Sequence, residues 1–200
     1  MPAEFVDPYV DPNFDVLRNL VGATTYDELA NAEGEYVSSR TVEVLDKKPP
    51  NLTGSLEDFK YLHKAIFKDI FDWAGEIRTV EIRKNSENSE YFLPSSRIEQ
   101  GFLWSQEQLK NDSYLLGFNK GDFVSRLAFH YDNYNYIHPF REGNGRTQRL
   151  FWSLLCSNAG WDINWTKVSG EENNIASKAA TETKNLKPLI KMFDRICNEK

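Results

Sequence analysis

The stretch His138-Pro139-Phe140-Arg141-Glu142-Gly143-Asn144-Gly145-Arg146-Thr147-Gln148-Arg149 gathers a possible base, a carboxylate, a Gly-Asn-Gly loop and three arginines in twelve residues. Apolar residues recur at helical spacing before it (Phe123, Leu127, Tyr131, Tyr134) and after it (Leu150, Leu154, Leu155). The stretch therefore reads as helix, tight loop and helix start near Gly145 or Arg146. Glycines at 143 and 145 let a ligand approach the backbone, and successive N–H groups in such a turn form an anion nest. The following helix adds its positive dipole end. Arg146 and Arg149, three residues apart, bring two guanidiniums to its first turns, which suits a polyphosphate. Glu142 beside phosphates calls for a hard cation between them, and Mg2+ held by one carboxylate and the phosphates is the usual solution. His138 can take a proton from an attacking hydroxyl. A lone His-Pro or Gly-Asn-Gly is more often structural; it is the joint pattern that points to chemistry.

At every specified position the stretch resembles the motif His-Pro-Phe-x-(Asp/Glu)-Gly-Asn-Gly-Arg-x-x-Arg of the Fic family of protein adenylyltransferases. Asp7-Pro8-Tyr9 and Leu17-Arg18-Asn19-Leu20 resemble the opening of the short bacterial Fic toxins. Residues 71–78, Phe-Asp-Trp-Ala-Gly-Glu-Ile-Arg, resemble the segment leading into that family's flap hairpin, so the likeness covers about residues 7–165.

The resemblance implies an all-α Fic bundle of seven or eight helices, with one β-hairpin laid over the active site. It implies transfer of AMP from ATP to a Tyr, Ser or Thr hydroxyl of a target protein, with diphosphate leaving. His138 is then the base and Glu142 the Mg2+ ligand. Gly143, Asn144 and Gly145 form the nest, Arg146 binds the departing phosphates, and Arg149 binds the γ-phosphate. Phe140 anchors the loop. A kinase-like Doc relative, a phosphocholine transferase and a non-catalytic nucleotide-binding module remain alternatives. The Gly-Asn-Gly and the second arginine speak against Doc. Small bacterial relatives modify type II topoisomerase subunits, which makes such a subunit the candidate target.

Fic proteins are restrained by a glutamate in (Ser/Thr)-x-x-x-Glu-(Gly/Asn) that pairs with the second arginine. Ser95-x-x-x-Glu99 is followed by Gln100 and Ser86-x-x-x-Glu90 by Tyr91, while Glu33-Gly34 lacks Ser or Thr four residues earlier. The resemblance therefore implies a toxin–antitoxin pair, in which a small antitoxin supplies the glutamate in trans to Arg149.

Composition bounds the rest. Two hundred residues give one domain: an N-terminal arm and helix (1–50), the core (51–165) and C-terminal helices (166–200). Thirteen Phe, nine Tyr and five Trp supply a core. A net charge of −6 argues against general nucleic-acid binding. Neither a signal peptide nor a membrane span is visible, and Cys156 and Cys197 fall in apolar helical patterns as free thiols, which fits a cytoplasmic setting.

Around the motif, Thr25-x-x-Glu28 opens a helix continued by Leu29, Ala32, Tyr36 and Arg40, and Lys47-Lys48-Pro49-Pro50 breaks it. Ser55-x-x-Asp58 caps a helix striped by Leu56, Phe59, Leu62, Ile66 and Ile70, which ends at Ala74-Gly75; His63 beside the stripe reads as a packed side chain. Residues 78–94 carry the one strand signal, a hairpin; as the flap it docks the target through Val80, Ile82, Lys84, Tyr91 and Phe92 by β-augmentation. Ser96-x-x-Glu99 and Gly121-Asp122 open further helices. Trp161 and Trp165 sit in a loop with a core or lid role, and two helices follow, the last with Pro188 at its first position.

Overall fold

The computed structural model describes residues 6–47, 49, 51–83 and 91–200. Lys84 and the turn of the expected hairpin (84–90), with Lys48 and Pro50 of the lysine–proline break, lie outside the described residues. Seven α-helices are described: α1 (Tyr26–Lys47), α2 (Leu56–Phe67), α3 (Ile98–Asn111), α4 (Lys120–Ile137), α5 (Asn144–Asn158), α6 (Gly170–Thr183) and α7 (Lys187–Ile196). The architecture is the expected all-α bundle.

Capping residues set the helix starts. The Glu28 amide donates to Thr25 Oγ1 (3.3 Å), and Thr25 N donates back to the Glu28 carboxylate (3.2 Å), forming a capping box. Ser55 and Asp58 do the same for α2, with both bonds at 3.1 Å. Asn119 caps α4 by accepting from Asp122 N at 3.0 Å. α3 departs from the expected pattern: a 3-10 turn, Ser95–Arg97, precedes it and no side chain caps it. Ser95 instead meets Glu81, whose carboxylate accepts from the Ser95 hydroxyl at 2.7 Å.

Two helical stripes differ from the sequence expectation. On α1 the buried residues are Leu29, Glu33, Val37 and Val44, while Tyr36 is exposed. The face against α2 follows an i, i+4 row that contains a carboxylate, so the apolar pattern misplaces it by a residue. α2 ends at Phe67, short of Ala74-Gly75. Ile70 and Phe71 stay buried, but the chain there runs through i→i+3 bonds such as Ala74 N to Phe71 O (3.2 Å). The Ile70 carbonyl accepts from Leu20 N at 2.7 Å, which draws the N-terminal arm onto this bend.

An aromatic cluster joins α2, α3, α4 and α5. Phe59 stacks on Tyr134 (5.1 Å) and touches Phe102 and Phe151, and the Tyr134 hydroxyl donates to Gly54 O at 2.7 Å. The named sheet lies where no strand was expected: β1 (Trp161–Ile163) pairs antiparallel with β2 (Cys197–Glu199). Trp161 is therefore in a strand, stacked on Phe123 at 4.5 Å, and Trp165 lies in a 3-10 turn with its indole N–H on Ser153 Oγ (2.9 Å). Both tryptophans serve packing. Cys156 and Cys197 are buried free thiols.

The described arms of the hairpin meet at an antiparallel bridge, Arg83↔Tyr91, and at Phe92 N to Ile82 O (3.1 Å). Leu93 N reaches Tyr136 O at 3.0 Å, which ties the second arm to the end of α4. No helix among the described residues is long and apolar enough to cross a membrane.

Candidate active site

His138 ends α4. It is the C-cap residue, in the left-handed region at φ 48° and ψ 64°. Its Nδ1 lies 3.0 Å from the Asn135 carbonyl. A carbonyl only accepts, so Nδ1 carries the proton and Nε2 becomes the accepting nitrogen. Phe92 of the flap stacks on the imidazole, with ring centroids 3.7 Å apart and planes 6° from parallel.

Arg78 holds this arrangement from beneath. Its side chain is fully buried. It donates to Val80 O (2.8 Å) and Leu93 O (2.5 Å) on the two arms of the flap, and to His138 O (2.8 Å). Its own amide donates to Pro139 O at 2.8 Å. One guanidinium thus fixes the flap arms and the first residues of the loop relative to each other.

The loop is closed from inside. Asn144 Oδ1 accepts from Phe140 N (2.8 Å) and its amide donates to Phe140 O (2.7 Å). The Asn144 side chain is therefore a brace, and only its backbone is available to a ligand. Phe140 is fully buried and stacks on His63 at 3.9 Å. His63 is itself fully buried: Nδ1 accepts from Gly75 N (2.8 Å), so Nε2, 3.0 Å from Glu142 O, donates to that carbonyl. Burial, opposed by the bond to Glu142 O, pushes the His63 pKa down to about 3 and keeps the ring neutral. Gly143 has φ +80°, and a Cβ there would lie 2.4 Å from the Phe67 ring.

α5 starts at Asn144, a residue earlier than expected, so its unpartnered first N–H groups belong to the loop itself. A carboxylate already sits at this anion-seeking turn: Glu142 Oε1 accepts from Gly143 N at 2.7 Å and from Arg146 Nη2 at 3.2 Å. Arg146 also pairs with Glu33 of α1 (2.5 Å) and lies over the Phe67 ring (4.7 Å). Arg149 folds back over the loop, since a Cβ on Gly145 would sit 3.6 Å from its Nη1. Among the described residues no carboxylate pairs with Arg149. No group of three or more His, Cys, Asp or Glu side chains that could hold a metal occurs among them either. A single half-exposed carboxylate beside a phosphate nest fits Mg2+ held largely by phosphate oxygens, with Glu142 as the protein ligand.

Of the expected site residues, His138, Glu142, Gly143, Asn144, Gly145, Arg146 and Arg149 converge on this loop. The flap residues divide: Val80 and Phe92 are buried, Ile82 is half-buried and Tyr91 is exposed. Phe92 faces His138, so of these Tyr91 is the side chain most open to a partner. Sequence reading missed the contacts of Glu33 and Arg78 with the site; His63, read as a packed side chain, is one, but its bond to the Glu142 carbonyl was not foreseen. The available signals were a carboxylate and an imidazole on apolar helical stripes, the marks of polar groups buried against a partner.

A family model for the Fic/DOC family matches residues 52–156. Among curated proteins the chain is similar to the probable protein adenylyltransferase Fic of Escherichia coli K12: 31% identical over 193 residues, 96% of this chain and 93% of that one. It is 34% identical to protein adenylyltransferase VbhT of Bartonella schoenbuchensis over 86% of this chain and 35% of that longer protein. Its fold is similar to that of the BepC protein of Bartonella tribocorum, whose crystal structure holds AMPPNP: TM-score 0.89 at 20% identity, covering 96% and 97% of the two chains.

Proposed function

The chain belongs to the Fic/DOC family, and from that premise we propose how its residues carry out the family's reaction. It is a protein adenylyltransferase, which transfers AMP from ATP to a hydroxyl of a target protein. The target oxygen attacks the α-phosphorus in line, the bond to the β-phosphate oxygen breaks, and diphosphate leaves. His138 Nε2 takes the hydroxyl proton. The observation that carries this role is the bond from Nδ1 to the Asn135 carbonyl, which leaves Nε2 as the base.

The nest at residues 143–145 and the start of α5 receive the phosphates, Arg146 neutralises the leaving diphosphate, and Arg149 binds the γ-phosphate. Glu142 holds Mg2+, which when bound supplies neutralisation of phosphate charge. Arg78 and Phe92 keep His138 oriented. The flap arms present backbone to an extended target segment, with Tyr91 outward.

Labelled ATP tests the reaction. Label from the α position on a target marks nucleotidyl transfer, label from the γ position marks a kinase, and no label marks a binding module. His138→Ala abolishes transfer and keeps ATP binding; retained transfer refutes the base assignment. Glu142→Ala loses most activity at low Mg2+ and recovers part of it in excess, and a loss independent of Mg2+ gives the carboxylate another role.

We propose further that the chain is the toxin of a cytoplasmic toxin–antitoxin pair, with a type II topoisomerase subunit as the candidate target. The partner is a small helical antitoxin whose glutamate reaches Arg149. Ser153 and Ser157 lie one and two turns beyond Arg149 on α5, and they line a groove of about 350 Å³ with Leu45, Leu52, Leu154 and Ile163 that suits an amphipathic helix. A partner with that glutamate changed to Gly still binds and no longer inhibits, because apolar burial supplies most of the affinity. An inert purified chain that is awakened by changing one of its own glutamates refutes this regulation.

A further inference from the structure

Glu33 stands outside the segment matched by the family, on α1, yet its carboxylate reaches the phosphate site. It occupies the buried row of Leu29, Val37 and Val44 and is itself only 9% exposed. A carboxylate in that position needs a partner, because burial disfavours its charged form. Burial does push its pKa up, and the charge of Arg146 opposes the shift.

Arg146 is shared. Its Nη2 lies 2.5 Å from Glu33 Oε2 and 3.2 Å from Glu142 Oε1, while Phe67 supports the guanidinium from below. The two carboxylates differ in position. Glu33 is fixed on a packed helix, whereas Glu142 is on the loop with its side chain 43% exposed. Glu142 is also the ligand read above for Mg2+. A carboxylate that turns to a cation gives up its bond to an arginine. With Glu33 in place, Arg146 retains a counter-ion at the site when Glu142 turns. Without Glu33, Arg146 and Glu142 form a closed i, i+4 pair that the cation must break.

We infer that Glu33 is a positioning residue that holds Arg146 at the phosphate site and thereby frees Glu142 for the cation. The inference rests on the reading of residues 138–149 as an Mg2+–nucleotide site. It implies an asymmetric signature. Glu33 is negative and close to the phosphates, so removing its charge does not weaken binding of nucleotide without Mg2+, and raises it if anything. The same change weakens the gain in affinity that Mg2+ brings. A residue needed only for packing lowers both alike.

The test is calorimetric titration of the full chain with a non-hydrolysable ATP analogue, with and without Mg2+, for wild type, Glu33→Gln and Glu33→Asp. The expected result for Glu33→Gln is unchanged or tighter binding without Mg2+, and a Mg2+-linked gain reduced about tenfold, the scale of one charged hydrogen bond. Glu33→Asp, which keeps the charge, recovers part of the gain. Equal weakening in both conditions with a lowered melting temperature overturns the inference, as does a gain left whole in Glu33→Gln while wild type shows it. A wild type whose nucleotide binding Mg2+ does not strengthen overturns the reading of the site itself, and this inference with it.

Discussion

Replacing His63 with Asn should change how the protein's stability depends on pH. In the folded chain His63 has its pKa held down to about 3, against an ordinary value of 6.5. Unfolding releases a group that binds a proton more readily, so the unfolded state gains protons below pH about 6.5 and the folded state only near pH 3. The stability from neutral His63 is thus complete above about 6.5 and is lost as pH falls toward about 3. At pH 4.5 the unfolded form is two units below its pKa while the folded form is still neutral, which amounts to about 2.7 kcal/mol at 1.36 kcal/mol per unit. Asn has no such titration. It can accept from Gly75 N as His63 does, but it leaves the Glu142 carbonyl without its donor and the Phe140 ring without its stacking partner, a cost of about 2–4 kcal/mol at pH 7. Urea unfolding of both proteins at pH 7 and pH 4.5 checks this. The stability gap should narrow by about 2.5 kcal/mol at the lower pH, because acid effects common to the two cancel. Parallel pH profiles would refute the account of a neutral imidazole clamping the loop.

Gly143→Ala meets both a positive φ and the Phe67 ring, and should cost about 2 kcal/mol or more in thermal unfolding; an unchanged melting temperature would mean that the loop has room to move. Arg78→Lys keeps a charge but not the planar fork, so transfer to target should fall at least tenfold with nucleotide affinity within about twofold, measured by labelled transfer and calorimetry. Equal loss of both would show that the whole site depends on Arg78. Phe92→Ala should lower the transfer rate by leaving the His138 ring without its stacking partner while nucleotide affinity stays within about twofold, and an unchanged rate would show that the stacking does not orient the imidazole.

Much of the site was legible because its parts are local. The proposed base, carboxylate, nest and both arginines lie within twelve residues, and the turn that joins α4 to α5 brings them together. The capping boxes at Thr25 and Ser55 are local too. What escaped sequence reading joins distant segments. Glu33 meets Arg146 across 113 positions (146 − 33), and His63 meets Glu142 across 79. In sequence Glu33 reads only as a candidate inhibitory glutamate and His63 only as a packed side chain, because neither partner is near in the chain. The β1–β2 pair escaped for another reason: three-residue strands carry too little alternation to register against α5 and α7 beside them. α2 was read too long because Ile70 keeps the helical period after the backbone has left it.

The left-handed backbone of His138 has a consequence for how this protein can lose its activity. A β-carbon in that region costs about 1 kcal/mol or more, and Gly or Asn takes up the same C-cap more readily. The last carbonyls of α4 are taken up around the imidazole: Asn135 O by the ring's own Nδ1–H, Tyr136 O by Leu93 N and Ile137 O by Arg78. The backbone that places the imidazole at the loop is one that the fold would sooner give to another residue. Gly or Asn at this position therefore recovers part of the backbone cost, set against the lost stacking on Phe92 and the lost bond to Asn135 O. Such a substitution would leave a folded protein without the proposed base, so the histidine stands here for its chemistry more than for the fold.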